Sequence, residues 1–201
     1  MRPCLAARAA CYPPRPLSGQ APNVRIVAGS RKGHRISAPR GVVTRPTGDR
    51  VREAAFALVG PVEDAQVLDL FAGSGAMGIE ALSRGAARCV FVENDRAACA
   101  VVTRNLEKLG LTSAVVLCRE VAHVLREERG RGHRYRLVLA DPPYEEWDGH
   151  SGTLAELLPD LLEPGGVAVV ESAARVEPDL PLDLVTTRRY GSARITLYRR
   201  P

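Results

Sequence analysis

Asp141-Pro142-Pro143-Tyr144 places a carboxylate, two residues without an N–H and an aromatic ring directly behind the apolar run Leu137-Val138-Leu139-Ala140. That set suits group transfer to an exocyclic nitrogen of a nucleobase or a related planar amide. Asp141 can accept one N–H of the amine, and a backbone carbonyl beside Pro142 can accept the other. Pro142 and Pro143 stiffen the loop and bring no competing donor. Tyr144 offers a face on which a base can stack. Drawing on both protons of a conjugated amine bends it towards tetrahedral geometry and raises its nucleophilicity. This chemistry requires no metal.

A second group lies upstream. Asp69-Leu70-Phe71-Ala72-Gly73-Ser74-Gly75-Ala76-Met77-Gly78 joins an apolar strand to a helix, and its glycines allow a ligand to approach backbone N–H groups closely. Gly73-x-Gly75-x-x-Gly78 fits the dinucleotide fingerprint, with Glu93 lying 20 residues beyond Gly73. Asp69 argues against a pyrophosphate, which its charge would repel, and for the cationic amino-acid end of S-adenosylmethionine (SAM). Phe71, Ala72, Gly73, Ser74 and Gly75 are then the loop around the cofactor. Glu93, with Asn94 beside it, accepts from ribose hydroxyls in either reading, and Glu120 stands where an adenine amino group could be read.

Short apolar strands alternating with helices must position these groups. Strands are expected at 67–70, 89–92, 114–117, 137–140 and 166–170, with helices at 77–83, 121–128 and 153–162. Asp95 is expected to cap a helix running to Gly110, and Asp49 to cap one that carries Val51, Ala54, Ala55, Leu58 and Val59. Such alternation means a parallel sheet covered on both faces, so the acids and glycines gather at its carboxyl edge. Runs 184–190 and 195–198 flank Gly191-Ser192 as a closing antiparallel hairpin.

The net charge of +5 is unevenly spread, because the first 48 residues hold nine Lys/Arg and no acid. A basic arm on a mildly acidic body implies a polyanion partner, most simply nucleic acid. Residues 24–27 and 34–37 read as a small basic hairpin. Its Arg25, Arg31, Lys32 and Arg35, with Arg40 and Arg45 after it, are candidate phosphate contacts, and Arg45 and Arg50 are expected to face the cofactor-side cleft. Residues 1–22, rich in Ala, Pro and Arg, are expected to be disordered. Five cysteines form no C-x-x-C pair, which implies no metal site and a reducing cytoplasm; Cys89, Cys99 and Cys118 read as small buried side chains. No apolar run reaches the ~18 residues that would suggest a membrane span. His34, His123, His133 and His150 read as surface histidines, all but His123 in loops.

The glycine loop, Glu93 and Asp141-Pro142-Pro143-Tyr144 together resemble SAM-dependent methyltransferases of exocyclic amines, and by themselves leave adenine, guanine and glutamine-amide acceptors open. Arg25-Ile26-Val27-Ala28-Gly29, Gly33-His34-Arg35, the run from Arg45 to Glu53 and Gly78-Ile79-Glu80-Ala81-Leu82-Ser83-Arg84-Gly85 resemble the RsmD family in collinear order from Val24 to the carboxyl end. The resemblance implies a class I methyltransferase α/β fold: a seven-stranded, mostly parallel Rossmann-like sheet with an antiparallel final hairpin. The basic hairpin and loop (23–48) then form an RNA-contacting appendage on a methyltransferase domain (49–201). It also implies methylation of N2 of one guanine in 16S rRNA, position 966 in standard rRNA numbering, within a 30S subunit or an assembly intermediate. Gly48 departs from the family pattern, which commonly has Thr there, and residues 1–22 have no counterpart in it. A DNA adenine methyltransferase lacks room here for a target-recognition domain, and an NAD-dependent oxidoreductase lacks a substrate domain. A non-catalytic assembly factor would have no use for an intact Asp141 and Tyr144.

Overall fold

The computed structural model describes residues 23–39 and 48–201. The extension 1–22, Arg40 and Arg45 lie outside the described residues. Strands β1 (Asn23–Arg25) and β2 (Arg35–Ser37) form an antiparallel pair around a 3₁₀ turn at Gly29–Arg31. After α1 (Asp49–Val59), strand and helix alternate: β3 (Gln66–Leu70), α2 (Ala76–Ser83), β4 (Arg88–Glu93), α3 (Arg96–Leu109) and β5 (Ala114–Cys118). Then follow α4 (Val121–Gly130), β6 (Tyr135–Ala140), α5 (Trp147–Leu161), β7 (Leu162–Ala173), β8 (Asp183–Tyr190) and β9 (Ala193–Arg199).

The main sheet has the order β5-β4-β3-β6-β7-β9-β8, with β5 to β7 parallel and β8 and β9 antiparallel. This is the class I methyltransferase arrangement that the sequence resemblance implies. From β3 the chain winds outward to β4 and β5, then returns to place β6 on the other side of β3. Such a reversal opens a crevice at the carboxyl ends of the two central strands.

Period-two alternation in the strands divides the apolar residues between two cores. Val67, Cys89, Phe91, Leu137 and Leu139 face one core, covered by α1, α2 and α3; Leu68, Leu70, Val90, Val92 and Val138 face the other, under α4 and α5. Val24, Ile26 and Ile36 of the hairpin belong to the first core and are almost fully buried. The basic hairpin is therefore packed into the body of the fold.

Its attachment runs through Glu80, a fully buried carboxylate on α2. Val27 and Ala28 each donate a backbone N–H to it at 2.9 Å. The Arg84 Nε donates at 2.8 Å, and the buried Arg52 guanidinium of α1 lies 3.6 Å away through Nε. Beside it the Ser83 hydroxyl bonds the Ala28 carbonyl, and the Arg31 N–H bonds Ser83 Oγ. Gly29 comes so close to α2 that a Cβ there would stand 1.8 Å from the Ser83 carbonyl oxygen. Only glycine fits that approach, which also demands a φ of +78°.

Several local expectations need correction. Asp49 is the first residue of α1, and its carboxylate pairs with Arg25 and Arg52; Gly48 takes the capping position and accepts from Val51 and Arg52 through its carbonyl. Helix α5 begins at Trp147, not near Thr153, because burial of Trp147 outweighs the poor helix propensity of Gly149 and Gly152. His150 thus lies on a helix. Cys118 is exposed, whereas Cys89 and Cys99 are buried as expected. Asp95 does cap α3, accepting from the Ala98 N–H at 2.7 Å, and Gly110 ends it in the left-handed region.

Removing one partner from a buried charge cluster leaves the others desolvated and unpaired. We therefore expect Glu80→Ala to lower unfolding free energy by about 3–5 kcal/mol in urea titration. A loss below about 1 kcal/mol would show that the cluster does not anchor the hairpin.

Candidate active site

The register of the central strands brings the two sequence motifs together. Leu70 pairs with Ala140 across β3 and β6, so the loops beginning at Phe71 and Asp141 leave the sheet side by side. The Asp141 N–H donates to the Leu70 carbonyl at 3.5 Å. Between these loops lies a cavity of about 250 Å³. Asp69, Phe71, Ala72, Gly73 and Ser74 line it from the glycine loop, Glu93, Asn94 and Glu120 from the neighbouring strand ends, and Asp141 and Pro143 from the second loop.

Two predicted residues stand behind that wall. Pro142 is buried under the loop. Gly75 sits at the start of α2 with φ +78°, and its N–H donates to the Ala72 carbonyl at 2.7 Å, closing the turn. Of the fingerprint glycines, Gly73 leaves open space where a side chain would stand, whereas a Cβ on Gly78 would meet the Phe91 ring at 2.4 Å. Gly73 thus gives a ligand access, and Gly78 lets α2 lie on the sheet. Tyr144 opens a 3₁₀ turn, Tyr144–Glu146, that leads into α5.

The acids are held in distinct ways. Asp69 points towards α2, 3% exposed, and accepts the Gly78 N–H at 2.9 Å. Burial raises its carboxyl to about 8 against that hydrogen bond, and the neighbouring Glu93 charge adds to the rise. Glu93 organises the backbone around it. One carboxylate oxygen accepts Gly73 N–H at 2.8 Å, and the other accepts Asn94 and Asp95 N–H, both at 2.9 Å. The oxygen bonded to Gly73 retains a lone pair for a ligand hydroxyl. Asn94 Nδ2 donates to Glu120 Oε1 at 3.2 Å, which fixes Glu120 at the cavity rim.

Three contributions have little local signal. His150 lines the cavity and meets the Phe71 ring edge-on, with centroids 4.8 Å apart and planes at 63°. Phe71 itself has φ +59°, a strained value for a side chain of this size. His150 reads as a surface residue in sequence because five residues of turn and helix separate it from Tyr144. Asn105 is buried on α3; it accepts the Ser37 N–H and donates to the carbonyls of Ser37 and Ser74, all within 2.9–3.0 Å. It joins the hairpin to the glycine loop, and its polar side chain among Val102, Leu106 and Leu109 was the available clue. Ala38 and Pro39, continuing from the hairpin, form part of the cavity wall.

The basic candidates are dispersed. Lys32 and Arg35 are exposed, Arg25 pairs with Asp49 at 3.1 Å, and Arg31 donates Nε to the Leu109 carbonyl at 2.8 Å. Arg50 is exposed and does not line the cavity, contrary to the expectation that it faces the cleft. No group of three or more metal-ligating side chains occurs among the described residues, and no helix among them is long and apolar enough to cross a membrane.

The family model described as Conserved hypothetical protein 95 matches residues 24–199. YlbH of Bacillus subtilis is 40% identical over 184 residues, covering 88% of this chain and 99% of that protein. Ribosomal RNA small subunit methyltransferase D of Escherichia coli is 38% identical over 170 residues, 84% of this chain and 80% of the relative. The solved structure of YhhF from Escherichia coli superposes with a TM-score of 0.77 at 34% identity, covering 89% of this chain and 98% of that one. With the family model spanning most of the chain and relatives near 40% identity over most of their length, this chain belongs to the RsmD family of ribosomal RNA methyltransferases.

Proposed function

We propose that the chain transfers a methyl group from SAM to the exocyclic N2 of a guanine in 16S rRNA, presented by a 30S subunit or an assembly intermediate. The observation that carries this reading is the Leu70–Ala140 register, which sets the glycine loop and Asp141 on opposite sides of one cavity. The name of the Escherichia coli relative supports rRNA of the small subunit as the acceptor. The guanine N2 assignment rests on the resemblance to the family.

The donor set fits SAM. A buried carboxyl at Asp69 suits a cationic ammonium, the spare lone pair on Glu93 suits a ribose hydroxyl, and Asn94 and Glu120 suit an adenine edge. Open space over Gly73 lets the cofactor lie against the loop. When bound, SAM supplies an electrophilic methyl carbon on a sulfonium. Asp141 accepts a hydrogen bond from one N–H of the target amine and a carbonyl at Pro142 accepts one from the other, which aims the nitrogen lone pair at the cavity; as the N–C bond forms and the sulfonium C–S bond breaks, one N–H proton leaves and the other stays on the methylated amine. Tyr144 is assigned the stacking surface for the base on residue type. His150 holds the Phe71 ring from the side and so sets the shape of the passage between cofactor and base.

A direct test is methyl transfer from labelled SAM to small-subunit particles taken from cells lacking the endogenous enzyme, followed by nucleoside analysis. Label in N2-methylguanosine at one site is expected. Label in N6-methyladenine would overturn the base assignment, and label in no nucleoside would overturn the reading itself.

Asp69 also generates a linkage. With its carboxyl raised to about 8, it is largely protonated near pH 7 and must ionise beside the incoming ammonium. Cofactor binding should then release up to about one proton near pH 7 and tighten as pH rises from 6 towards 8. Calorimetry in buffers of different ionisation enthalpy measures this, and Asp69→Asn should abolish the release. The same raised carboxyl makes its contribution to the stability of the ligand-free fold greatest below pH 4, where both states hold the proton. That contribution is lost as pH climbs through about 8.

Asp141→Ala should reduce kcat by at least about 100-fold while leaving SAM affinity within about threefold, since it removes an acceptor for the amine. Equal losses in both would place Asp141 in the cofactor site.

A further inference from the structure

We propose that the exposed face shared by the hairpin and α3 is the track that holds the RNA strand flanking the target base, an inference that rests on the rRNA-methylation reading above. Helix α3 is 14 residues long, about 21 Å. At its amino end Asp95 and Ala98 line the cavity; at its carboxyl end Arg31 donates to the Leu109 carbonyl. The hairpin runs back alongside. Lys108 Nζ bonds the Arg35 carbonyl at 2.6 Å, and Asn105 bonds Ser37 and Ser74. Helix and hairpin therefore present one continuous surface that ends at the cavity mouth.

Its charge is predominantly positive. Arg96, Arg104 and Lys108 are exposed and fall within about 120° of arc on the helix. Lys32 and Arg35 are exposed on the adjoining hairpin, and Glu107, the one acid at the exposed positions of α3, falls within the same arc. No ion pair engages Lys32, Arg35, Arg96, Arg104 or Lys108 among the described residues. On the opposite side of the sheet carboxylates engage most of the arginines on and beside α4, Arg126 and Arg134 excepted. On and beside α4, Arg119 pairs with Glu127, Arg129 with Glu156 and Asp160, and Arg131 with Glu127 and Glu128. An excess of cations outside ion pairs on a surface leading to a base-sized cavity is complementary to a phosphate backbone. Arg96 and Arg104 extend this surface well beyond the basic amino-terminal segment.

The test compares the full chain with the double variant Arg96→Gln/Arg104→Gln and, on the opposite face, Arg126→Gln/Arg129→Gln. Binding to small-subunit particles whose acceptor guanine is unmethylated is measured across a salt series, with S-adenosylhomocysteine affinity as the control for an intact cavity. The α3 variant should bind the particles about tenfold more weakly, with a log–log salt slope shallower by about 1.5, and should hold S-adenosylhomocysteine unchanged. The α4 variant should match the unmodified chain. An α3 variant with unaltered affinity and slope, or equal losses from both variants, would overturn the track while methyl transfer to rRNA still stood. If the unmodified chain neither bound nor methylated the particles, the function and the track would fall together.

Discussion

A carboxylate sealed away from water must find donors inside the protein, and Glu80 finds them in three different segments. Its partners come from the hairpin backbone, α1 and its own helix α2. None of these can move without stranding a buried charge, so the chain before the sheet is committed to one position on it. That position carries Ala38 and Pro39 to the cavity wall and puts Ser37 within reach of Asn105. The shape of the site therefore depends on a contact outside it.

Inside the cavity the organising fact is an excess of acids. Asp69, Glu93 and Asp141 share one space, together with Glu120 and Glu146 at its edges. Proximity of like charges, added to burial, keeps Asp69 protonated at higher pH than a surface carboxyl. An anionic pyrophosphate would worsen this arrangement, and a ligand with an ammonium and a sulfonium relieves it. The glycine fingerprint taken alone is neutral on the point, because its geometry serves both ligand classes.

Much of this was legible in the amino-acid string. Apolar runs separated by cap and turn residues marked the alternating strands and helices, and Asp95 and Gly110 sit at the ends of α3 as their chemistry demands. Helix α5 is longer than its local pattern implies because Gly149, Ser151 and Gly152 weaken its local propensity, while Trp147 gains its stability only by packing into the second core. Asp49 looked like a cap because it precedes an amphipathic run. Arg25 and Arg52, one of them 24 residues away, draw its carboxylate elsewhere.

Sequence by itself determined which groups could do chemistry and that they would meet at one sheet edge, because residue type and strand–helix order are local properties. Only the tertiary structure decided that Leu70 and Ala140 are neighbours, that His150 reaches Phe71, and that Arg31 serves a helix carbonyl. It also decided that the basic hairpin is part of the core and that free cations continue along α3. These outcomes depend on hydrogen bonds and packing between segments tens of residues apart. Such contacts leave no periodic trace along the chain, since each partner satisfies only its own local pattern until the fold brings the two together.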